Sequence, residues 1–519
     1  MLGPEVRWLP SSRCAAGRCV SPTCFGAIFA CRDGSACSDT SSPCCRSQRM
    51  TTPERTRNDT LRNALVDFLG EARVGEDAHL DGVLVASVRS VSDVEGVLAV
   101  ARQMRIPVRP RAAGLDSLNL TAPPSGGILL DLRGMNRILE VNHSERYALI
   151  EPGVTWRQLY KRLAEEGGDL ALPTAATPRG LSVWASTFLD GSADASLVQG
   201  ALPEKVWGVE AILSSGEAVR TGSGAMSSGW WGRGPLPDLS GLFIGWQGAT
   251  GIVTRLSVSL RPRLKHVRRL LFPASSRRAA IAAAIRLARE GLCDEAAVLP
   301  WTLLRRVFSV EGALVRQPGE PEAYLHVDWS AETLPELEYK RLRLGQNLVR
   351  AARRGGSFDE PVDLVALAGL TPALKRLRDL PLRLPLGGAG LEAAAAVACY
   401  GPISRLVDGA DVLDEAAAAH GVGAAVVIRP MRGAHHGMLH AVLGGYQTGE
   451  PEAVHGATAR ALERLMGLGF VPHRFPTELS RLVFSHLHPG TQRLALRLRR
   501  LLDPQGVLDP VPWGLPAPL

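Results

Sequence analysis

GLFIGWQGATGIVTRLSVSLRPR, residues 241–263, is the stretch whose reading decides the fold. Gly245, Gly248 and Gly251 build a turn, and the segment leaving it, from Ile252 and Val253 onward, is β-branched and alternates apolar with polar residues, the pattern of a strand. The whole reads as strand, turn, strand. Three glycines in one turn let the backbone approach a flat ligand, because no Cβ stands in the way. The strand that follows can offer its N–H and C=O groups to the edge of a ring. Taken alone, the stretch is equally well a glycine-rich β-turn. The order of the segments before it separates the two readings.

Those segments follow at steady spacing. Residues 84–105 read as a strand, a Ser-capped turn and a helix in which Val94, Val97, Leu98 and Ala101 recur at helical spacing. A strand at 106–111 runs into a loop of small residues, Arg111-Ala112-Ala113-Gly114-Leu115-Asp116-Ser117. Residues 126–142 give two short strands, and 145–167 a strand ending at Pro152-Gly153 and then a helix with Thr155 at its N-cap. Residues 205–226 are a hairpin around Ser-Ser-Gly. At the far end, LRRLLDPQGVLDPVPWG (498–514) is a helix followed by an Asp-Pro-Gln-Gly turn. This ordered set, over about 80–263 with the 498–514 ending, resembles the flavin-binding domain of the vanillyl-alcohol oxidase / p-cresol methylhydroxylase family. AVVIRPMRGAHHGMLHA (425–441) resembles a strand of that family's cap domain. The resemblance implies an α+β fold: a p-cresol methylhydroxylase (PCMH)-type FAD-binding domain with an α+β cap, or substrate, domain.

Composition sets the outer bounds. At 519 residues the chain is long enough for two or three domains. It is 45% hydrophobic and 21% charged, an ordinary globular balance without an apolar run of membrane-spanning length. The net charge is +8, but only five of the 59 basic residues are Lys and the Arg residues are scattered along helices, so neither nucleic acid nor membrane is the expected partner. Seven of the nine cysteines fall in residues 1–49, at spacings that suit neither a zinc module nor a haem-attachment motif, and GAIFA is too short for the apolar part of a signal peptide. We read 1–49 as an unstructured extension or a start assigned too early, with Met50 the real start. The body keeps only Cys293 and Cys399, which fits a reducing cytoplasm. After Pro262, strands at 268–274 and 322–330 alternate with Ala- and Arg-rich helices at 275–291, 336–356, 409–421 and 452–469, which suits an antiparallel sheet with helices on one side. The expected division is 50–263 for the FAD-binding domain, 264–470 for the cap and 471–519 for a segment returning to the first domain.

The cofactor the family implies is FAD. By the resemblance, Arg111, Ala112, Ala113, Gly114, Leu115, Asp116 and Ser117 form the loop that meets the diphosphate with backbone N–H groups. Two family glycines are Ala112 and Ala113 here. A second loop, usually Gly-Gly-Asn, reads Val183-Trp184-Ala185-Ser186-Thr187, so Ser182, Ser186 and Thr187 are the candidate donors, while Trp184 either packs beside the cofactor or fills its space. Gly251, Ile252 and Val253 are the candidate adenine contacts. The histidine attachment positions of other branches fall near Leu115-Asp116 and Val397, so FAD is expected to be non-covalent, with Tyr400 the one conceivable tyrosyl link.

On the substrate side the chain departs from the phenol-oxidising branch, which uses two tyrosines, an arginine and an acid near flavin N5. The acid position near 200–202 reads Gly200-Ala201-Leu202, and the Tyr-Arg pair becomes His473-Arg474. Arg474 can stabilise negative charge on reduced flavin or bind an anionic substrate, and His473 can act as a base near neutral pH. His436, in MRGAHH, is the third candidate; the alternative is that His435, His436 and His440 are simply packed or solvated. On one strand, 436 and 440 share a face about 13 Å apart, so no metal is expected. The function implied is an FAD-dependent oxidoreductase that accepts a hydride from a small alcohol, phenolic or hydroxy-acid substrate onto flavin N5, with a homodimer left open. The competing reading is a degenerate member without redox turnover, acting as a binding or subunit-interaction protein.

Overall fold

The computed structural model describes residues 52–77, 82–113, 126–172, 180–190, 196–234, 236–246, 248–307, 316–353, 355–370, 394–444 and 450–508. The expectations for residues 1–49 and for Gly114, Leu115, Asp116 and Ser117 lie outside these. Helix Thr52–Leu69 buries Leu61, Leu65 and Leu69, the i, i+4, i+8 stripe of its sequence. A small sheet follows: β1 (Val74–Glu76), β2 (Leu84–Ser87), β3 (Val108–Arg111) and β4 (Ile128–Asp131), in the order β1-β2-β4-β3. β2, β4 and β3 run parallel, with helix Val91–Met104 as the crossover. Ser90 starts that helix by accepting the Asp93 amide, and Val94, Val97, Leu98 and Ala101 are its buried face.

The second sheet is antiparallel and holds β5 (Ile138–Asn142), β6 (Tyr147–Ile150), β8 (Val206–Ile212), β9 (Ala218–Arg220) and β10 (Ile252–Ser259), ordered β5-β6-β10-β8-β9. Between β6 and β8, helix Trp156–Glu165 starts at a reciprocal capping box of Thr155 and Gln158. After it, β7 (Leu170–Ala171) pairs with β11 (Arg261–Pro262). The 241–263 stretch departs from the sequence reading on one side, because no strand precedes the glycine turn. Ser240–Leu242 is a 3-10 turn, and Gly245 and Gly248 take φ of 79° and 90°, so the chain coils into the turn instead of extending to it.

The large sheet is antiparallel throughout. Its strands are β12 (His266–Ala274), β13 (Glu295–Pro300), β14 (Ala323–Ala331), β15 (Val362–Asp363), β16 (Ala394–Gly401), β17 (Ala424–Met431), β18 (His436–Gly444) and β19 (Val471–Arg474), in the order β15-β12-β14-β13-β17-β18-β16-β19. Period-two alternation sorts its side chains between two faces. Val298, Leu325, Val327, Ile428 and Leu439 pack under the Ala-rich helices Arg277–Arg289, Leu334–Ala352, Leu406–Ala419 and Pro451–Gly467. The opposite face carries Leu271, Ala297, Leu299 and Val427 with helix Trp301–Val307, and alongside them a row of charged and aromatic residues.

Residue 471 opens the last strand of this sheet, and the chain then crosses back. Asp503 accepts the amides of Val507 and Leu508 at 2.9 and 2.8 Å, which holds that segment so that the Val108 amide donates to the Val507 carbonyl at 2.7 Å and Leu508 bridges Val108 in parallel. Among the described residues no helix is long and apolar enough to cross a membrane.

Candidate functional site

Three sequence segments converge at the C-terminal end of β3. The Ser182 amide donates to the Ala113 carbonyl, which ties the second loop to the end of the first. Gly248 lies against Pro110 of β3, where a Cβ would come within 2.5 Å of the proline ring. Ala112 is buried. The Arg111 side chain is committed within the small sheet, 2.8 Å from Asp77 and 3.8 Å from Asp131, so only its backbone faces the loop's task. Gly251 sits under Phe243 and the Ile212 carbonyl. Ile252 and Val253 have buried side chains and pair with Ile212 and Ala211, whereas β6 begins pairing only at Leu256, opposite Ile150. The β6-side backbone edge at 252–254 is therefore not covered by that strand.

In the second loop the two serines serve the loop itself. The Ser182 hydroxyl donates to the Pro152 carbonyl and accepts the Ala185 amide, while the Ser186 hydroxyl donates to the Ser182 carbonyl and accepts Trp156 Nε1 at 3.0 Å. Each hydroxyl has one proton, so in this arrangement neither donates to a ligand. Thr187 is buried beside them. Trp184 is 5% exposed, tilts against Phe188 at 5.9 Å, and its Nε1–H has no hydrogen-bond partner among the described residues. A buried donor of this kind costs about 1–3 kcal/mol unless a ligand or water takes it. With the glycine turn pressed on β3 and a bare strand edge at 252–254, this orphaned donor fits a loop that holds a large polar cofactor.

The second loop packs on β19: the π-helical turn Ser186–Asp190 contacts Val471–Arg474. There Ala398 pairs with Arg474 and Cys399 with Pro472, leaving His473 as the extra residue of a β-bulge. The bulge aims its ring at Tyr400, 5.2 Å between centroids, and Tyr400 in turn meets His436 edge-on at 5.7 Å. The structure thus joins two of the three candidates, His436 and His473, through a tyrosine. Arg474 follows His473 at the end of β19. Val397, by contrast, lies in the core under the helices.

An acid that the sequence reading missed stands beside this cluster. The 3-10 turn Leu202–Lys205 brings Glu204 back to accept the Ala201 amide at 3.0 Å, over Gly200, whose φ is 80° and where a Cβ would collide with the carboxylate. Glu204 also lies 3.3 Å from Arg432. Arg432, Gly433 and Ala434 take φ of 49°, 64° and 60°, a run of left-handed residues held by hydrogen bonds to the Ser196 and Leu197 carbonyls at 3.2 and 2.6 Å. Strain of this kind persists only where the surroundings fix it. Burial pushes the His436 imidazole below its ordinary value, with His435 and Arg432 adding and Glu204 opposing, so it is neutral at pH 7. Burial also lowers the neighbouring Lys205 to about 8, with Arg261 and Arg432 adding and Glu204 opposing.

Further across the same face lies a buried charge row, also missed. Arg429 and Glu295 pair at 2.8 Å with side chains 5% and 1% exposed. Arg269 pairs with Asp328 at 2.8 Å, and His326 Nε2 stands 3.0 Å from Asp328 Oδ1, out of line for a hydrogen bond. Burial holds His326 below its ordinary value against the pull of Asp328. Burial alone raises the Asp328 carboxyl, but His326 and Arg269 outweigh it and hold it below the usual range. The signal was available: in AYLHVDWSA, His326 and Asp328 alternate with Leu325, Val327 and Trp329.

Comparison with known proteins fits this geometry. The family described as an FAD binding domain matches residues 83–222. In sequence the chain is 34% identical over 194 residues to 1'-carboxy-chondrochloren decarboxylase of Chondromyces crocatus, covering 35% of this chain and 34% of that one. It is 29% identical over 194 residues to the flavoprotein subunit of 4-cresol dehydrogenase [hydroxylating] of Pseudomonas putida, 36% of each. It is also 29% identical over 188 residues to glycolate oxidase subunit GlcD of Bacillus subtilis, 36% of this chain and 38% of that one. The chain spans little more than a third of the length of these relatives. Among solved structures, p-cresol methylhydroxylase with substrate bound superposes with a TM-score of 0.73 at 18% identity, over 90% of this chain and 98% of that one. 4-Ethylphenol oxidase from Gulosibacter chungangensis gives 0.71 at 18%, over 88% and 97%. The chain carries a PCMH-type FAD-binding domain and shares the fold of p-cresol methylhydroxylase, and its cofactor is FAD.

Proposed function

We propose that the protein is an FAD-dependent oxidoreductase that takes a hydride from a small organic substrate of alcohol, phenolic or hydroxy-acid type. The observation that carries this is the FAD-binding domain facing a sheet whose bulged last strand sets His473 against Tyr400, which in turn meets His436, with Arg474 next in sequence. Residues 111–117, the 182–187 loop, the turn at Gly248 and the strand edge at 251–253 would hold the cofactor. Bound there, FAD supplies a two-electron acceptor for the substrate's hydride.

The chain's own residues do the rest. His436, kept neutral by burial, takes the substrate's hydroxyl proton, with Glu204 and Arg432 setting the charge around it. Tyr400 fixes the two imidazoles by ring contact, and Arg474 supplies a permanent positive charge for an anionic group. We read the FAD as non-covalent, since Val397 belongs to the helix-side core. The reading includes the cytoplasm as location, the vanillyl-alcohol oxidase family, the division at 263 and 470, and a small molecule as partner.

Purified protein should be yellow, acid precipitation should release the flavin, and anaerobic addition of an alkylphenol, a benzylic alcohol or a 2-hydroxy acid should bleach it. A flavin that stays with the pellet would point to Tyr400 or a nearby histidine as its link. Colourless protein that resists FAD loading would favour the second reading, a binding protein without turnover. That reading draws on the two serines turned inward.

A further inference from the structure

A cavity of about 390 Å³ opens between the end of helix Trp156–Glu165 with β7 on one side and β12, β13 and β14 on the other. It lies on the same sheet face as the Tyr400 cluster but several strands away, at the β12–β14–β13 side of the sheet. Its volume is within the range of small-ligand pockets, about 300–1,000 Å³. The walls differ in kind. Leu163, Leu170 and Tyr160 make an apolar side, and the sheet contributes Asp294, Glu295, Asp328 and Arg269, with Arg261 and Arg263 at the β11 edge.

Pairing within the sheet uses up most of this charge. Asp328 is taken by Arg269 and Glu295 by Arg429. Asp294 accepts the Ser330 hydroxyl, and burial raises its carboxyl toward the neutral form against the pull of Ser330, Arg261 and Lys340. Among the described residues no carboxylate lies within ion-pair reach of Arg261 or Arg263, and the Arg261 Nε–H is shut off from solvent without a partner. Arg261 also helps to depress Lys205 and pulls on the Asp294 carboxyl, so its positive charge is felt across this junction. The cavity therefore presents an apolar wall and a guanidinium with no ion-pair partner among the described residues, which is the complement of a carboxylate on an apolar body.

We infer that this cavity is a binding site for a small amphipathic carboxylate, its apolar part against Leu163 and Leu170 and its carboxylate on Arg261. The inference does not depend on flavin turnover. Benzoate is a suitable probe, titrated calorimetrically into the full chain, with benzyl alcohol and acetate removing the charge and the apolar body in turn. Benzoate should bind one-to-one, and each control at least tenfold more weakly. Arg261→Gln should weaken benzoate by about 10–100-fold, since it deletes a hydrogen bond to a charged group. Arg261→Lys should recover part of that loss. Ala164→Phe, a change at an exposed position lining the cavity, should block binding. His436→Asn should leave the affinity unchanged.

The inference is overturned if benzoate fails to saturate, if benzyl alcohol binds as well as benzoate, or if neither Arg261→Gln nor Ala164→Phe alters binding. Loss of binding in His436→Asn would move benzoate to the Tyr400 cluster and overturn it too. Colourless protein would sink the flavin reading and leave this titration as informative as before.

Discussion

Arg429→Met is the sharpest test of the charge row. The guanidinium holds the Glu295 carboxylate at 2.8 Å through Nε and Nη2, from the adjacent strand β17. With the side chains 5% and 1% exposed, water screens neither group, so the discount that makes surface pairs weak does not apply. Removing one partner of such a pair leaves a buried charge uncompensated, at a cost of about 3–5 kcal/mol. For a unit the size of the large sheet and its helices, each kcal/mol moves the melting midpoint by about 2–4 °C. Arg429→Met should therefore melt about 6–20 °C below the parent.

The double variant Glu295→Leu/Arg429→Met carries the reasoning further. It removes both charges and leaves apolar groups of similar volume, which in buried pairs is often neutral or stabilising. It should return most of the lost midpoint, giving a coupling free energy well above the error of a double-mutant cycle. Differential scanning calorimetry of the four proteins at one pH is the assay. An Arg429→Met protein that melts within about 2 °C of the parent would refute the assignment of an uncompensated buried charge. A double variant as unstable as the single one would show that packing, not charge, is what Arg429 contributes.

His326, buried and held neutral, should make stability depend on pH. Between about 6.5, the ordinary histidine value, and its lower folded value, the unfolded chain binds a proton that the folded one does not, so stability should fall as pH drops through that window. His326→Asn should flatten the slope in urea melts at pH 5 to 7; an unchanged slope would assign it elsewhere. If the protein reduces its flavin with substrate, Arg474→Ala should slow that step by on the order of 10²-fold, and His473→Phe by less; reduction at the parent rate in Arg474→Ala would move the search to His436. Burial pushes the Cys399 thiol up to about 12 and the Cys293 thiol well above its usual value, so in a chain beginning at Met50 a thiol-reactive dye should label neither until unfolding. Rapid labelling of the folded chain would contradict the burial of both.

What the sequence made legible was local. Ser90 and Thr155 announce their helices because a cap needs only a side-chain oxygen and the amide three residues on. The alternation in 268–274 and 322–330 gave strands because period two is fixed by the pleat. The strand expected before the glycine turn was not there: positive φ at Gly245 and Gly248 coils a segment that composition alone would extend. The site depends on longer connections. Glu204 is two positions past the place searched for an acid, and only the φ of Gly200 and the 3-10 turn after it bring the carboxylate back. Tyr400 meets His473 because β19 joins β16 with a bulge, a pairing across more than seventy residues that no window reveals. Ser182 and Ser186 looked like ligand donors because hydroxyls suit phosphates, but a short turn has its own amides and carbonyls to satisfy, and these compete for the same atoms.

Lys205 lies at the junction of the two regions of the sheet face and feels charge from both. It is one of five lysines among 59 basic residues, and it stands where Arg261 from the cavity and Arg432 from the hairpin both raise the local potential, with Glu204 the neighbouring acid. An arginine at this position would add a third permanent charge to that junction. A lysine lowered to about 8 carries its proton against the environment below that pH and releases it above, so the junction has one positive charge it can shed. An anion on Arg261 would offset the same repulsion and bring Lys205 back toward its ordinary value.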